Sequence, residues 1–435
     1  MRMKYIKTVC SLPMIIITTT VLSQEQKKDT LPPPNATKSV MNFSKVIGWK
    51  DGKMPIAPKG FIVSKYADGF QNPRWMYVAS NGDVLVAESN SNFTLIQKAG
   101  AVVTGANRAD DLSHSADRIT LLRDTNNDGI PDEKNILLTA DNGLKQPFGM
   151  LVIGEWLYVA NTDALVRFPY KVGQTKITET GQKIIDLPAG KSFKDNRHWT
   201  RNIISNADNS KIYIAVGSSS NIAENGIDNE ILRANILEIN PDGSGMRVYA
   251  SGLRNPVGMG WAPGTSTLWT SVNERDELGD DLVPDYLTSV KQGGFYGWPY
   301  SYYGQHIDTR VKEQQPDLVK KTIVPDLELG SHTASLGLVF YTKKTFPPKY
   351  QAGAFITQHG SWNRSVLSGY KVVYVPFANG KPSGKPQDFL TGFVAELSKE
   401  KVYGRPVGIA ILQDGSLLVS DDASNTIWKI SAEKQ

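Results

Sequence analysis

The sequence predicts an all-β chain: a six-bladed β-propeller in which each blade is a four-stranded antiparallel sheet. Three observations carry this. One pattern recurs six times: a small or apolar run, a polar turn, a β-branched run and a polar tail. The turns inside the copies, such as Asn81-Gly82 and Asp414-Gly415, are hairpin chemistry. Long stretches of helical periodicity are missing, and sheets repeated radially remove the exposed edges that such a chain would otherwise carry. A β-sandwich array is the alternative, but the copies are spaced more regularly than it requires.

In chain order, Arg2, Lys4 and Lys7 precede the apolar, uncharged run Val9–Leu22, with Val21 and Ser23 placed for cleavage before Gln24. Residues 1–23 are therefore expected to be a secretory signal. The run is short of the ~20 residues a membrane span needs, so the mature chain is expected to be periplasmic or secreted, with no span. Residues 24–59 are polar and carry Pro32, Pro33, Pro34, Pro55 and Pro58, the composition of a flexible leader. From residue 60 to 435 the texture is that of the propeller domain.

Its copies occupy residues 75–92, 149–164, 202–221, 258–275, 336–364 and 408–425. Val84–Ala87, Leu157–Ala160, Ile212–Val216 and Leu417–Ser420 suit strands buried between neighbouring sheets. Third strands follow at Asn235–Ile239, Tyr370–Pro376 and Thr426–Ile430. Gly60–Ala67 is expected to add a strand to the blade that holds the C-terminus, closing the ring.

The formal charge is +5, falling to +2 without Arg2, Lys4 and Lys7, and there is no block of Lys or Arg. Neither nucleic acid nor an anionic membrane surface is indicated as a partner. The one cysteine, Cys10, lies in the expected signal, which excludes a disulfide and thiolate catalysis from the mature protein. No G-x-G-x-x-G opens a helix after a strand, so nicotinamide binding has no support.

Chemistry concentrates in Ser251–Tyr300, where the acidic stretch Asn273–Pro284 replaces a short hairpin. Such loops on a regular scaffold are where binding usually sits. Asp124, Asn126, Asp128 and Asp132 form a D-x-N-x-D-G-x-x-D loop that suits Ca²⁺. Asn135 stands where an EF-hand keeps its closing Glu, and an Asp/Asn/Gly turn is the plain alternative. None of the five histidines has the spacing of a zinc site. His198 stands out within Arg197-His198-Trp199-Thr200-Arg201 at the mouth of the third copy. Arg74, Arg201, Arg254, Arg364 and Arg405 each sit at the start of a copy or just past its second strand. In a propeller those positions face one end of the central channel, where converging guanidiniums need an anionic partner. Local pairing with Glu88, Glu274 or Asp276 is the alternative.

The motifs RNPVGM, NERDELGDD and GGFYGWPY, with PRWMYVASNGDVLVAES at 73–89, HWTRNI at 198–203, HGSWNR at 359–364 and GRPVGIA at 404–410, lie in one order. In these the chain resembles the pyrroloquinoline quinone (PQQ)-dependent soluble sugar dehydrogenases, and most of all their sorbosone-dehydrogenase-type branch. The resemblance covers roughly residues 60–431. It implies that His198 is a general base, that Arg254, Asn255 and Arg405 contact PQQ, and that Arg364 falls close to the position where the family has a cationic residue that binds the cofactor. It also implies a Ca²⁺ bridging PQQ to the backbone carbonyls of Glu274 and Arg275, with Asp280 and Asp281 holding the loop or a second ion. The chain departs from the family in having Glu274-Arg275 for Gly-Pro, and Arg197 where some glucose dehydrogenases have an aspartate.

The expected function is oxidation of an aldose or related sugar, with hydride passing to PQQ, Ca²⁺ assisting, and electrons leaving to an acceptor. Two rivals stay open: a Ca²⁺-dependent lactonase-type hydrolase using Glu88 and Asp421, and a non-catalytic propeller that binds glycan or protein.

Overall fold

The computed structural model describes Met1 and residues 31–109, 112–190 and 195–433. Apart from Met1, the expected signal lies outside the described residues. From Pro33 onward the chain forms one unit of antiparallel sheets.

Each copy of the sequence pattern supplies two antiparallel strands, and in the first five sheets the following chain adds two more. The first sheet holds Pro73–Val78, Val84–Glu88, Arg118–Arg123 and Glu133–Leu138, and the second Met150–Ile153, Trp156–Ala160, Ala164–Pro169 and Gln182–Asp186. The third holds Arg201–Ser205, Ile212–Val216, Asn235–Ile239 and Arg247–Ser251, with Gly294–Phe295 added in parallel at its edge. The fourth holds Pro256–Trp261, Leu268–Val272, Pro284–Ser289 and Leu327–Ser331, and the fifth Ser335–Phe340, Gly353–Gln358, Lys371–Ala378 and Gln387–Leu390. Pro406–Ile411, Leu417–Asp421 and Thr426–Ala432 form the sixth, to which Phe61–Asp68 adds the outer strand.

Second strands such as Ile212–Val216 and Leu417–Asp421 are buried along their whole length, which is why they open on consecutive apolar residues rather than alternating ones. Neighbouring sheets share a core. Leu85 and Leu121 of the first pack with Leu157 and Val159 of the second, and so on round to Leu418 and Ile427 of the sixth, which pack with Val84 and Val86 of the first. The first strands pass so closely that only glycine fits. A Cβ on Gly258 would lie 2.5 Å from Leu336 O, and one on Gly408 2.5 Å from Arg74 O. This accounts for the recurring x-Gly-x at the head of the copies.

The expectation of a flexible leader over 24–59 is corrected for its described part. Residues 35–47 are hydrogen-bonded along the loops at one end of the sheets, and Lys45–Val46 pairs in parallel with Lys401–Val402. Polar, proline-bearing composition masks two aromatic anchors: Phe43 stacks on Trp362, and Trp49 on Tyr403.

Candidate active site

In an antiparallel hairpin the first strand begins where the second ends. Pro73 lies opposite Glu88, Arg201 opposite Val216, Pro256 opposite Val272, Ser335 opposite Gln358 and Pro406 opposite Asp421. The loops before first strands and after second strands therefore share one end of their sheets. That end carries His198, the five arginines and residues 273–284, whereas the Asp124–Asp132 loop joins the third and fourth strands of the first sheet at the opposite end.

His198 precedes the first strand of the third sheet. Its Nδ1 lies 2.9 Å from Ser218 O and 3.0 Å from Ser218 Oγ. A carbonyl can only accept, so Nδ1 carries the proton and Nε2 keeps its lone pair. Burial, with the guanidiniums of Arg254 and Arg197 nearby, holds the imidazole well below its usual 6.5. His198 is thus a neutral base at pH 7. Behind it lies Gly217, where a Cβ would come 2.3 Å from Asn255 Oδ1 and 2.5 Å from His198 Cβ. Asn255 Oδ1 is buried with no hydrogen-bond partner.

Arg254 is committed to its own chain. It donates to Glu274 O at 2.6 Å, Asn221 Oδ1 at 2.9 Å and Asp276 Oδ2 at 3.2 Å. The Glu274 carbonyl expected to meet Ca²⁺ therefore already faces a cation. Asp276 Oδ1 lies 3.2 Å from His332 Nδ1, and His332 Nε2 donates to Gly279 O at 2.8 Å. Burial works against both charges, yet their mutual hydrogen bond holds the Asp276 carboxyl below its usual range and raises the His332 imidazole. Arg275 is buried beside Asp308, with 3.0 Å between Nε and Oδ2. Burial pushes the Glu274 carboxyl up to about 7 and that of Asp285 up to about 6.

A second charged group joins the fifth, sixth and first sheets. Arg74 Nη1 donates to Asp422 Oδ2, and His359 Nε2 lies 2.9 Å from Asp422 Oδ1. Burial and Arg405 lower His359 to about 4, so its ring is a neutral donor to an ionised carboxylate. Arg405 Nε donates to His359 O at 3.3 Å, and the Arg74 guanidinium lies over the Trp199 ring at 5.5 Å. Arg74 Nε is buried with no hydrogen-bond partner.

Arg201 does not join either group. It is fully buried and donates to the carbonyls of His198, Thr200 and Pro188, so it shapes the loop that carries His198. Arg364 is latched to Asp280 O at 2.7 Å and Asp281 Oδ1 at 3.1 Å, and Asp280 accepts from Ser365. In the Asp124–Asp132 loop the side-chain oxygens accept backbone N–H groups. Asp124 takes Gly129 N at 2.7 Å, Asn126 takes Asp128 N at 2.9 Å and Asp132 takes Thr125 N at 3.1 Å. Among the described residues no three His, Cys, Asp or Glu side chains gather as a metal site. Glu88 is bound by Arg118 at 2.8 and 2.6 Å, and Asp421 by Arg405 N at 2.8 Å and Trp49 Nε1 at 2.8 Å. Both carboxylates named by the hydrolase alternative are thus engaged by protein donors.

The sequence reading missed Asp422, His359, Asn221 and Gly217. HGSWNR and the acid pair Asp421-Asp422 were signals for the first two, and nothing local marks Asn221.

Two relatives match over part of their length: an uncharacterized protein of Borreliella burgdorferi, 32% identical over 54% of this chain and 61% of its own, and the aldose sugar dehydrogenase YliI of Escherichia coli, 29% identical over 27% and 30%. The chain thus spans less than two thirds of these relatives. Among solved structures, the calcium structure of a Trichoderma reesei carbohydrate-active enzyme of family AA12 aligns with a TM-score of 0.68 at 18% identity, covering 87% of this chain and 97% of that one. The holo form of the pyranose dehydrogenase PQQ domain from Coprinopsis cinerea aligns with a TM-score of 0.67 at 19% identity, covering 89% and 100%. At these identities the likeness is one of fold, a β-propeller. The TrAA12-like family model matches residues 55–285 and 303–433, well over half of the sequence, and the chain belongs to that family.

Proposed function

We propose that the protein is an exported oxidoreductase on a six-bladed propeller, oxidising an aldose or related sugar at a C–OH carbon with PQQ as hydride acceptor. The observation that carries the reading is the His198 cradle: a neutral imidazole, its Nδ1–H fixed by Ser218 O, beside a buried Asn255 oxygen with no donor. The residues present fit PQQ. Asn255 Oδ1 lacks a donor and Arg74 Nε an acceptor, and a ligand with carboxylates and an N–H answers both needs. Arg74, Arg405 and Asn255 would hold it. When bound, PQQ supplies a quinone carbon that accepts hydride.

His198 Nε2 takes the proton of the substrate hydroxyl. Ser218 O keeps the tautomer and orientation of the ring, and burial with the charge of Arg254 keeps it unprotonated beforehand. Asp276 lies close enough to favour the imidazolium that then forms. Ca²⁺ would be held by backbone carbonyls such as Glu274 O, which accepts from Arg254 and keeps a second lone pair, and would polarise the quinone. A sugar and an electron acceptor are the partners. No helix among the described residues is long and apolar enough to cross a membrane.

The test is reconstitution. Apo-protein supplied with PQQ, with and without Ca²⁺ or a chelator, is assayed for sugar-dependent dye reduction. Activity that needs PQQ is expected, and a chain that binds no PQQ overturns the reading. Activity unchanged by exhaustive chelation removes calcium from it.

A further inference from the structure

The segment 35–49 runs across the same loops that carry the two charged groups. Asn35 N donates to Leu278 O at 2.7 Å, and Thr37 Oγ1 accepts from Asp280 N at 2.7 Å. Asn42 N donates to Trp362 O at 2.7 Å, and Arg108 reaches Phe43 O at 2.7 Å. Loops of the first, fourth and fifth sheets are thus tied to one strand of chain. It ends at Trp49, whose ring stacks on Tyr403 at 4.8 Å and packs edge-on against Phe393 and Trp428 at 5.4 and 5.2 Å.

The Trp49 indole is more than an apolar anchor. Its Nε1–H donates at 2.8 Å to Oδ2 of Asp421, a carboxylate with no exposed surface. The other oxygen, Oδ1, accepts from Arg405 N at 2.8 Å and Ser424 N at 3.1 Å. Trp428 Nε1 also faces Oδ2, but at 3.4 Å. The carboxylate is pressed so tightly against the turn before Arg405 that a Cβ on Gly404 would lie 1.9 Å from Oδ2. One buried carboxylate therefore joins the indole of the N-terminal segment to the backbone of a candidate cofactor residue. Hydrogen-bond chains of this kind act as a unit, since removing one donor leaves the others to carry a buried charge.

We propose that residues 35–49 form a strap that completes the candidate site, and that Trp49 is a positioning residue which acts through Asp421 to fix the backbone of Arg405. Its consequence for cofactor binding rests on the PQQ reading above; its consequence for Arg405 does not.

The experiment compares Trp49→Phe, which keeps a ring but loses the N–H, with Asp421→Asn, the double variant, and Lys53→Ala. Lys53 touches Tyr403 but not Asp421. Hydrogen exchange of the Arg405 amide in the native protein is the first readout, and PQQ affinity and turnover at saturating PQQ are the second. Trp49→Phe should speed exchange at Arg405 by about tenfold, as expected for loss of a hydrogen bond to a charged group. It should also weaken PQQ binding while leaving saturated turnover unchanged. The double variant should be no worse than Asp421→Asn alone, and Lys53→Ala should match the parent. Unchanged exchange at Arg405 in Trp49→Phe overturns the strap, as does full additivity in the double variant. Faster exchange with unchanged PQQ affinity overturns its action on the cofactor. A parent that binds no PQQ overturns the functional reading instead, and exchange then decides the strap alone.

Discussion

Replacing His198 with Ala separates chemistry from cofactor binding. The substitution removes the Nε2 base and the Nδ1–H to Ser218 O bond, and leaves Arg74, Arg405 and Asn255 in place. Losing one such hydrogen bond costs about 1 kcal/mol, so the fold should survive. General-base assistance is worth about 10²–10⁴ in rate, or roughly 3–5 kcal/mol on the barrier at 1.36 kcal/mol per decade. Turnover at saturating PQQ should fall by that factor while PQQ affinity holds. The pH profile gives a second reading. Burial and two guanidiniums depress the imidazole below 6.5, so it stays a competent base until pH falls well under that value. The acid limb of kcat/KM should therefore lie below pH 6.5. The same depression contributes stability that is fully present above pH 6.5 and lost as pH falls, because the unfolded chain then binds the extra proton. His198→Ala should remove that slope. The assay is a PQQ titration of each protein, then sugar-dependent dye reduction at saturation across pH. Turnover in His198→Ala equal to the parent, or an acid limb above pH 6.5 in the parent, would refute the assignment.

Arg74→Ala or Arg405→Ala should weaken PQQ binding first, by about 1.5–3 kcal/mol for a charge-assisted contact, and excess PQQ should recover the activity; equal affinity by titration would remove that arginine from the site. Glu88→Ala strips the buried partner from Arg118, Thr120 and Gln71 N, and should lower stability to urea by about 3–5 kcal/mol, whereas an unchanged midpoint would show that the pair contributes little. The Glu274 carboxyl, raised from 4.5 to about 7, binds a proton more tightly in the folded state. Stability should therefore decline as pH rises from 4.5 to 7, and Glu274→Gln should flatten that part of a Tm-against-pH curve; an identical slope in the variant would contradict the buried-carboxyl reading.

The sequence by itself determined the strands, their pairing into hairpins and the end of the sheets that carries His198 and Arg74. Those are local properties. Alternation and β-branched runs set strand and burial, Asn-Gly and Asp-Gly set the turn, and an antiparallel hairpin puts its first and last residues together. His198 and Arg74 could be placed at that end from their spacing to the nearest strand alone. What each side chain does there was decided only by the tertiary structure, because its partners come from remote chain. Arg74 meets Asp422 across 348 positions and Trp49 meets Asp421 across 372. Among five similarly spaced arginines, Arg201 ended on backbone carbonyls, Arg364 on the Asp280–Asp281 turn and Arg74 on a shared carboxylate. The leader shows the same division. Its prolines and polar residues describe a segment with no core of its own, and Phe43 and Trp49 gain their energy only from surfaces that other sheets provide.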